Sequence, residues 1–278
     1  ISDTLPSMMN AIRMVWTISR HYNTDKRMNP LMELIANEIC DKVAQFIDLD
    51  ETISTIFDNP EHVMKRLKEG AEVLKKWKAT YFHVRDKIEQ DRRDDRWDFD
   101  KDRMFERSDY MTDRCNDLYE FAKVVSDYKK YLGPELRNVT GETSGIDDVL
   151  GRVQDLLRPL QFLGYDIFDK KQMRQWNEVM MEFRENVEDI KKRTNSFIDR
   201  SFKKLRSAEL AFKFLKDVKS INSEKDSINQ RMALKSIDIL KRYGEEIDAI
   251  YLIFTLEKNN PPKTKNLPPV AGAIYWSD

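Results

Sequence analysis

Residues 60–90 read PEHVMKRLKEGAEVLKKWKATYFHVRDKIEQ, and their apolar members recur at the spacing of a helix face. Two interleaved series each have a member every seven residues: Leu67, Leu74, Tyr81 and Ile88, and Val63, Gly70, Trp77 and Val84. The alternating steps of three and four predict a long helix with a coiled-coil-like seam. Asn59 suits the N-cap and Pro60 the first helical turn, so we predict that the helix begins at Pro60.

The same spacing returns in three other parts of the chain. The series are Met111, Leu118, Val125 and Leu132; Trp176, Phe183, Ile190 and Phe197; and Ala233, Leu240, Ile247 and Phe254. The second series belongs to a helix predicted over about residues 171–219, whose apolar face shifts to Leu205 and Phe212 with Ala208 and Leu215 beside them. The third belongs to a helix predicted near residues 227–257.

A further helix is predicted to begin at Asn29-Pro30, with an apolar stripe that includes Leu34, Ile39, Val43 and Phe46. The alternation typical of strands is nearly absent from the whole sequence. We therefore predict an all-α fold, built of elongated antiparallel helical bundles with long coiled-coil-like helices.

Turn-forming residues divide the chain into four predicted parts. Residues 1–133 form a first helical bundle, and residues 134–169 form a connector with a short helix, IDDVLGRVQDLL, that Pro159 ends. Residues 170–258 form a hairpin of long helices that belongs to the next bundle. Residues 259–278 contain two Pro-Pro pairs, which favour an extended segment, and are predicted to connect to a following bundle.

Composition excludes several classes of function. The 48 basic residues are balanced by 49 acidic ones, which argues against nucleic-acid binding because phosphate neutralisation needs a basic excess. No apolar run approaches the ~20 residues of a membrane span, and no signal-peptide pattern is recognised. Two cysteines without paired spacing, Cys40 and Cys115, fit a reducing, cytoplasmic compartment.

Motifs that carry catalytic chemistry are missing from the sequence. It has no phosphate-binding loop of the GxxxxGK[ST] type, no GxGxxG and no GxSxG, and its three histidines lack metal-ligand spacing. We therefore predict no catalytic, cofactor-binding or metal-binding residue. Cys40 and Cys115 fall on the apolar faces of their helices, which predicts buried, inert thiols. The basic run 191–206 is predicted to be a solvated helix face rather than a lipid-binding one.

Two groups of aromatic and apolar residues are candidates for contact with other proteins. The mixed-charge stretch 90–109 is predicted to be a solvated helix end and loop, but its Trp97, Phe99 and Phe105 could instead dock onto a neighbouring surface. The second group is Ile274, Tyr275 and Trp276, at the apolar end of the proline-rich connector. We expect this group, with Val270, to pack against helices that follow.

Four motifs resemble the N-terminal tail of dynein heavy chains, most like the axonemal kind. They are RMVWTISRHYNTDKRM (13–28), GPELRNVTG with IDDVLGRV (133–141 and 146–153), FIDRSFKKLRSAELAF (197–212) and NLPPVAGAIYW (266–276). Because they occur in the order expected of that tail, the resemblance covers nearly the whole chain.

The resemblance implies a non-catalytic, structural role in a microtubule motor of the cytoskeleton. Such tails look like rods of helical bundles that carry intermediate chains and light chains, meet other heavy chains, and anchor the motor on the doublet microtubule through axonemal docking proteins. The implied location is the axoneme of a cilium or flagellum. The ATPase sites of such proteins lie in the motor ring, so no cofactor, nucleic-acid partner or membrane is implied for this segment.

Two other classes of function remain open from the residues alone. A cytosolic adaptor built of spectrin-like bundles would favour internal repeats of fixed period, and none is found. A helical enzyme whose site escapes motif analysis would show convergent carboxylates or a cofactor in a bundle core.

Overall fold

The computed structural model describes residues 2–90, 97–131, 144–204, 208–213 and 226–258, together with residues 268, 270, 271 and 274. The helices are α1 (Leu5–Ile18), α2 (Asp25–Ile47), α3 (Leu49–Thr55), α4 (Pro60–Gln90), α5 (Lys101–Tyr131), α6 (Ser144–Asp155), α7 (Arg158–Gln161), α8 (Met173–Lys204) and α9 (Asp226–Glu257). The described residues contain no strand, so the predicted all-α class is confirmed.

Helix α4 forms as the sequence predicts. It begins at Pro60, and Asn59 caps it by accepting a hydrogen bond from the backbone N–H of His62 at 3.3 Å. All eight members of the two heptad series are buried. Both α1 and α2 pack against this helix. A Cβ atom on Gly70 would lie 2.9 Å from Cδ1 of Ile47, so the glycine permits the close approach of α2 to α4.

Helix α2 begins earlier than predicted. Its first residue is Asp25, and Pro30 lies inside the helix instead of in the first turn. As the sixth residue of the helix, Pro30 lacks the N–H that would otherwise donate to the carbonyl oxygen of Lys26, so the helix has one backbone hydrogen bond fewer there. Asn29 is not the N-cap; its side-chain oxygen accepts from the backbone N–H of Asp100 at 3.3 Å.

The buried face of α2 is also rotated from the predicted stripe. Leu34 and Phe46 are 66% and 45% exposed, whereas Met28, Met32 and Cys40 are fully buried. Ile39 and Val43 are buried, as predicted. The rotation follows from packing against α4, whose position the periodicity of α2 does not contain.

Helices α5 and α8 pack through aromatic side chains. Phe121 stacks on Phe183 with 3.7 Å between the ring centroids, and Trp176 donates from Nε1 to Oδ2 of Asp117 at 2.8 Å. Met111, Leu118 and Val125 are buried, as are all four members of the series Trp176, Phe183, Ile190 and Phe197. The predicted member Leu132 lies outside the described residues.

The connector helix ends earlier than predicted. Helix α6 stops at Asp155, and Pro159 lies in the first turn of the short helix α7. Proline suits a first turn because its missing N–H would have no partner there, so Pro159 starts a helix and does not end one.

Contacts divide the chain into two compact units whose bounds differ from the predicted domains. Unit 1 comprises residues 1–130 and 144–194, and unit 2 comprises residues 131–143 and 195–278. Helix α8 spans the division, because it runs from Met173 to Lys204 without a break. Its first part therefore joins the unit that holds α4 and α5, although the sequence suggested a boundary before residue 170.

None of the helices in the described part of the chain is long and apolar enough to cross a membrane.

Candidate interaction surfaces

The three aromatic residues proposed for partner binding are buried in unit 1. Trp97, Phe99 and Phe105 are 2%, 3% and 2% exposed. Trp97 and Phe99 lie in the non-helical segment before α5, edge-on to Trp16 of α1 with centroid distances of 6.5 Å and 5.0 Å. Tyr81 of α4 completes the cluster, and its hydroxyl oxygen accepts a hydrogen bond from the N–H of Phe99 at 3.1 Å.

The burial of these three rings corrects both interpretations of residues 90–109, as a solvated helix end and loop and as a docking site for another protein. The rings do dock onto a neighbouring surface, but that surface is formed by α1 and α4 of the same unit. The charged neighbours point away: Asp98 pairs with Arg85 at 3.3 Å and with Lys101 at 2.7 Å. Apolar and acidic residues thus alternate over Trp97-Asp98-Phe99-Asp100, the period of an extended segment covering a core, and this short alternation was the available sequence signal.

The described residues near the end of the proline-rich connector are exposed. Val270 is 74% exposed and Ile274 is 58% exposed. Tyr275 and Trp276 lie outside the described residues. The expectation that this group packs against following helices stays a prediction.

Helix α9 carries eleven exposed large apolar side chains among its described residues. Six of these side chains, with exposed fractions between 49% and 70%, define what we call the α9 face: Ile237, Leu240, Tyr243, Ile247, Ile250 and Tyr251. Leu240, Tyr243, Ile247 and Ile250 follow one another in steps of three and four, as in a bundle seam. The sequence predicted a seam through Leu240 and Ile247, and both side chains are exposed.

A different side of α9 packs inside unit 2. Lys235 lies 3.4 Å from the carboxylate of Asp199, and the ring of Phe202 lies beneath the cations of Lys235 and Arg242, at 4.9 Å and 5.1 Å. Ile239, between these two cations in sequence, is buried. This side of α9 is therefore occupied by residues of the same unit.

Further along, the N–H of Ala208 donates to a carboxylate oxygen of Glu246 at 3.1 Å. From residue 199 through 202 to 208, the contacted residues of α9 thus come progressively later in the sequence. In an antiparallel hairpin, later residues of the first helix would contact earlier residues of the second. These contacts therefore do not have the order of the predicted hairpin. Phe212, expected on the buried face here, is 64% exposed, while Ala208 and Ala211 are buried.

A cleft of about 460 Å³ in unit 1 lies between α7 and α8. Phe162, at 82% exposure, stands at its edge, and Arg152 faces Asp189 across it at 3.6 Å. The lining mixes both signs of charge with apolar groups and includes none of the predicted site residues. The described residues hold no cluster of His, Cys, Asp and Glu that could bind a metal ion.

Both cysteines are buried, as predicted. Burial raises the pKa of the Cys40 thiol to about 11 and that of the Cys115 thiol to about 12. A thiol with a pKa this high stays protonated at neutral pH, and the thiolate is the reactive form. Neither cysteine is therefore suited to act as a nucleophile.

We expect both thiols to be inert toward Ellman's reagent at pH 8 while the protein is folded. With pKa values of about 11 and 12, roughly one thiol in a thousand or fewer is ionised, and burial blocks access as well. Absorbance at pH 8 should show slow reaction in buffer and prompt reaction of two thiols in guanidinium chloride. Prompt reaction of either cysteine in buffer would contradict its buried position.

Comparison with known proteins gives a consistent result across the chain. The family model described as dynein heavy chain, N-terminal region 1, matches residues 1–278. The Dynein-1-alpha heavy chain of the flagellar inner arm I1 complex of Chlamydomonas reinhardtii is 44% identical over 276 residues, covering 99% of this chain and 6% of that relative. Dynein axonemal heavy chain 10 of Homo sapiens is 38% identical over 277 residues, covering 99% of this chain and 5% of that relative.

A third relative is more distant. The Dynein-1-beta heavy chain of the same Chlamydomonas complex is 29% identical over 286 residues, covering the whole of this chain and 6% of that relative. The chain thus spans about one-twentieth of the length of the relatives it matches. The match across all 278 residues, together with the all-α fold, shows that the chain belongs to the dynein heavy chain family, in its N-terminal region 1.

Proposed function

We propose that this chain is a structural segment of the tail of an axonemal dynein heavy chain. In this role it is a stiff element that carries intermediate and light chains, meets other heavy chains, and helps to anchor the motor to the doublet microtubule through docking proteins. The proposed location is the axoneme of a cilium or flagellum. The observation that carries the proposal is the full-length match to the N-terminal region of dynein heavy chains, whose two most similar relatives named above are flagellar and axonemal.

The architecture supports a mechanical role. Helices α4, α5 and α8 have 31, 31 and 32 residues, so each extends for about 46–48 Å at 1.5 Å per residue. Their seams are filled with large side chains such as Trp77, Phe121 and Trp176, all fully buried. Closely interdigitated side chains resist deformation, and bundles of this kind transmit force with little bending.

Unit 2 supports a role in assembly. The α9 face leaves six large apolar side chains exposed on one helix, and contiguous exposed apolar surface of this kind marks interaction sites. The spectrin-like adaptor, an alternative from the sequence, is set aside because the chain belongs to the dynein heavy chain family.

Cross-linking of the intact native dynein complex tests the proposal. Lys68 and Lys241 are exposed residues of unit 1 and unit 2, and a lysine-reactive cross-linker followed by mass spectrometry would report their neighbours. We expect cross-links from this region to intermediate chains, to light chains or to a second heavy chain. As a control, lysines in the motor ring of the same heavy chain should form no cross-links to any of these chains. If every cross-link from residues 1–278 stayed within its own heavy chain, the carrier role would be wrong.

The proposal also predicts that purified residues 1–278 neither bind nor hydrolyse ATP. The sequence lacks a phosphate-binding loop, and the match is to the N-terminal region of the heavy chain. Calorimetric titration with ATP and an assay of phosphate release should both give background values. ATP turnover that a point substitution within the segment abolishes would favour the alternative of a helical enzyme.

A further inference from the structure

We propose that the hydrogen bond between Asp117 of α5 and Trp176 of α8 fixes the axial register of these two helices. The inference deepens the proposed mechanical role, and its functional meaning rests on that role, because a segment that transmits force must resist the sliding of its helices past one another. It goes further by assigning this resistance to one pair of side chains.

Helices α5 and α8 lie side by side in unit 1 and run in the same direction. Nε1 of Trp176 donates to Oδ2 of Asp117 at 2.8 Å, and further along both helices Phe183 stacks on Phe121 with 3.7 Å between the ring centroids. Trp176 is fully buried, and the side chain of Asp117 is 14% exposed. The bond therefore lies within the packed contact between the helices, beside the apolar side chains that fill it.

The apolar seam of α8 does not fix this register by itself. A shift of α8 by seven residues brings Phe183 to the position of Trp176 and Ile190 to that of Phe183. A shift by four residues brings Met180 and Val187 to the same two positions. These shifts move the helix by about 10 Å and about 6 Å, and both leave apolar side chains in the seam. In seams that repeat in this way, a polar residue is what specifies one register.

The ion pairs along the edge of the seam do not fix the register either. Arg184 of α8 lies 3.3 Å from a carboxylate oxygen of Asp117 and 3.0 Å from one of Glu120. A shift by seven residues would bring Lys191 to its place, so both carboxylates would keep a cationic partner. The side chains of Arg184 and Glu120 are also 55% and 43% exposed, and exposed ion pairs contribute little.

Trp176 discriminates between these registers. After a shift by one turn or one heptad in either direction, Asp117 would face a side chain that cannot replace the indole as a hydrogen-bond donor: Met173, Met180, Asp169 or Phe183. The indole N–H would at the same time leave its acceptor. Because an unpaired polar group in a buried position is costly, the pair favours the observed register over each of its neighbours.

The distance between two spin labels in residues 1–278 tests the inference. Asp102→Cys and Glu185→Cys place the labels at exposed positions of α5 and α8, and both native cysteines are buried. Residue 102 lies fifteen positions before Asp117, and residue 185 lies nine positions after Trp176, so the labels are separated mainly along the helices. A shift of one turn or one heptad therefore changes their distance by about 5–10 Å.

The variants of Asp117 carry the expected result. The double-cysteine chain should give one distance by pulsed electron paramagnetic resonance. Asp117→Leu supplies an apolar side chain of similar shape without an acceptor, and it should add or substitute a distance that differs by about 5–10 Å. Asp117→Asn should keep the original distance, because its amide oxygen still accepts from the indole. Asp113→Leu, at an exposed position one turn earlier on α5, is the matched control and should also keep it.

Two outcomes would overturn the inference. An unchanged single distance in Asp117→Leu, with native helix content, would mean that Asp117 contributes to stability without setting the register. A shifted distance in Asp117→Asn as large as that in Asp117→Leu would assign the register to the charge of Asp117 and not to its bond with Trp176.

A second variant covers the case in which Asp117→Leu fails to fold. Trp176→Phe keeps a ring in the seam and removes the N–H donor, so it should also add a distance that differs by about 5–10 Å. An unchanged distance in this variant would overturn the inference as well. Either failure would leave cross-links from residues 1–278 to other subunits unaffected, so it is distinguishable from failure of the proposed function.

Discussion

Replacing Trp97 with alanine is expected to lower the free energy of unfolding of unit 1 by about 3–5 kcal/mol. The side chain is 2% exposed, and its ring centroid lies 4.9 Å from that of Phe99 and 6.1 Å from that of Tyr81. Removing it leaves a large cavity where α1, α4 and the segment before α5 meet. Urea unfolding followed by circular dichroism would measure the loss.

Two further variants make this test specific. Phe162→Ala removes an aromatic side chain that is 82% exposed, and it should change stability by no more than about 0.5 kcal/mol. Trp97→Phe should cost less than Trp97→Ala, because it keeps a ring and removes an indole N–H that has no acceptor among the described residues. A loss for Trp97→Ala as small as that for Phe162→Ala would restore Trp97 as a candidate for partner binding.

The second large effect is expected for Leu74→Ala, which should lower the free energy of unfolding by about 2–5 kcal/mol. Leu74 is 1% exposed in the seam of α4, between the fully buried Leu67 and Tyr81 of the same heptad series. The neighbouring Lys75 is exposed, so Lys75→Ala keeps the helix and leaves the seam intact. Chemical denaturation of both variants checks the assignment; a loss below about half a kilocalorie per mole for Leu74→Ala would mean that the seam is misassigned.

The seams of α4, α5 and the first part of α8 were predictable because each is a local pattern. A heptad series fixes which residues share a face, and for Leu74, Leu118 and Phe183 the face so defined is the buried one. The start of α4 was predictable for the same reason, since Asn59 and Pro60 act on the first turn alone.

The predictions that were wrong concern side chains whose burial depends on an element distant in the sequence. Leu34 of α2 is exposed because α4 covers a neighbouring face, and Trp97 is buried because α1 and α4 receive it. No residue close to either one in sequence carries that information. Leu240 of α9 is the reverse case: its seam is plain in the sequence, but its side chain is 70% exposed.

Sequence motifs indicated the candidate function, whereas the exposed side chains of the structure indicated the candidate surface. The four motifs indicated the dynein tail, and the match over residues 1–278 confirmed the family. The α9 face could not be recognised as uncovered from its heptads, since buried and exposed seams have the same spacing. Periodicity identifies a face that needs a partner, but it does not say where in the sequence that partner lies.

The division of unit 1 into two stretches of sequence has a consequence for protein synthesis. Residues 1–130 leave the ribosome first, but Trp176 and Phe183, which pack on Phe121, come later, after a stretch that belongs to unit 2. At about 5–20 residues per second, the 64 residues from Lys130 to Thr194 take roughly 3–13 s to translate. During that interval the nascent chain presents the α5 side of this core without its cover, and chaperones that bind apolar segments would have their opportunity to engage it then.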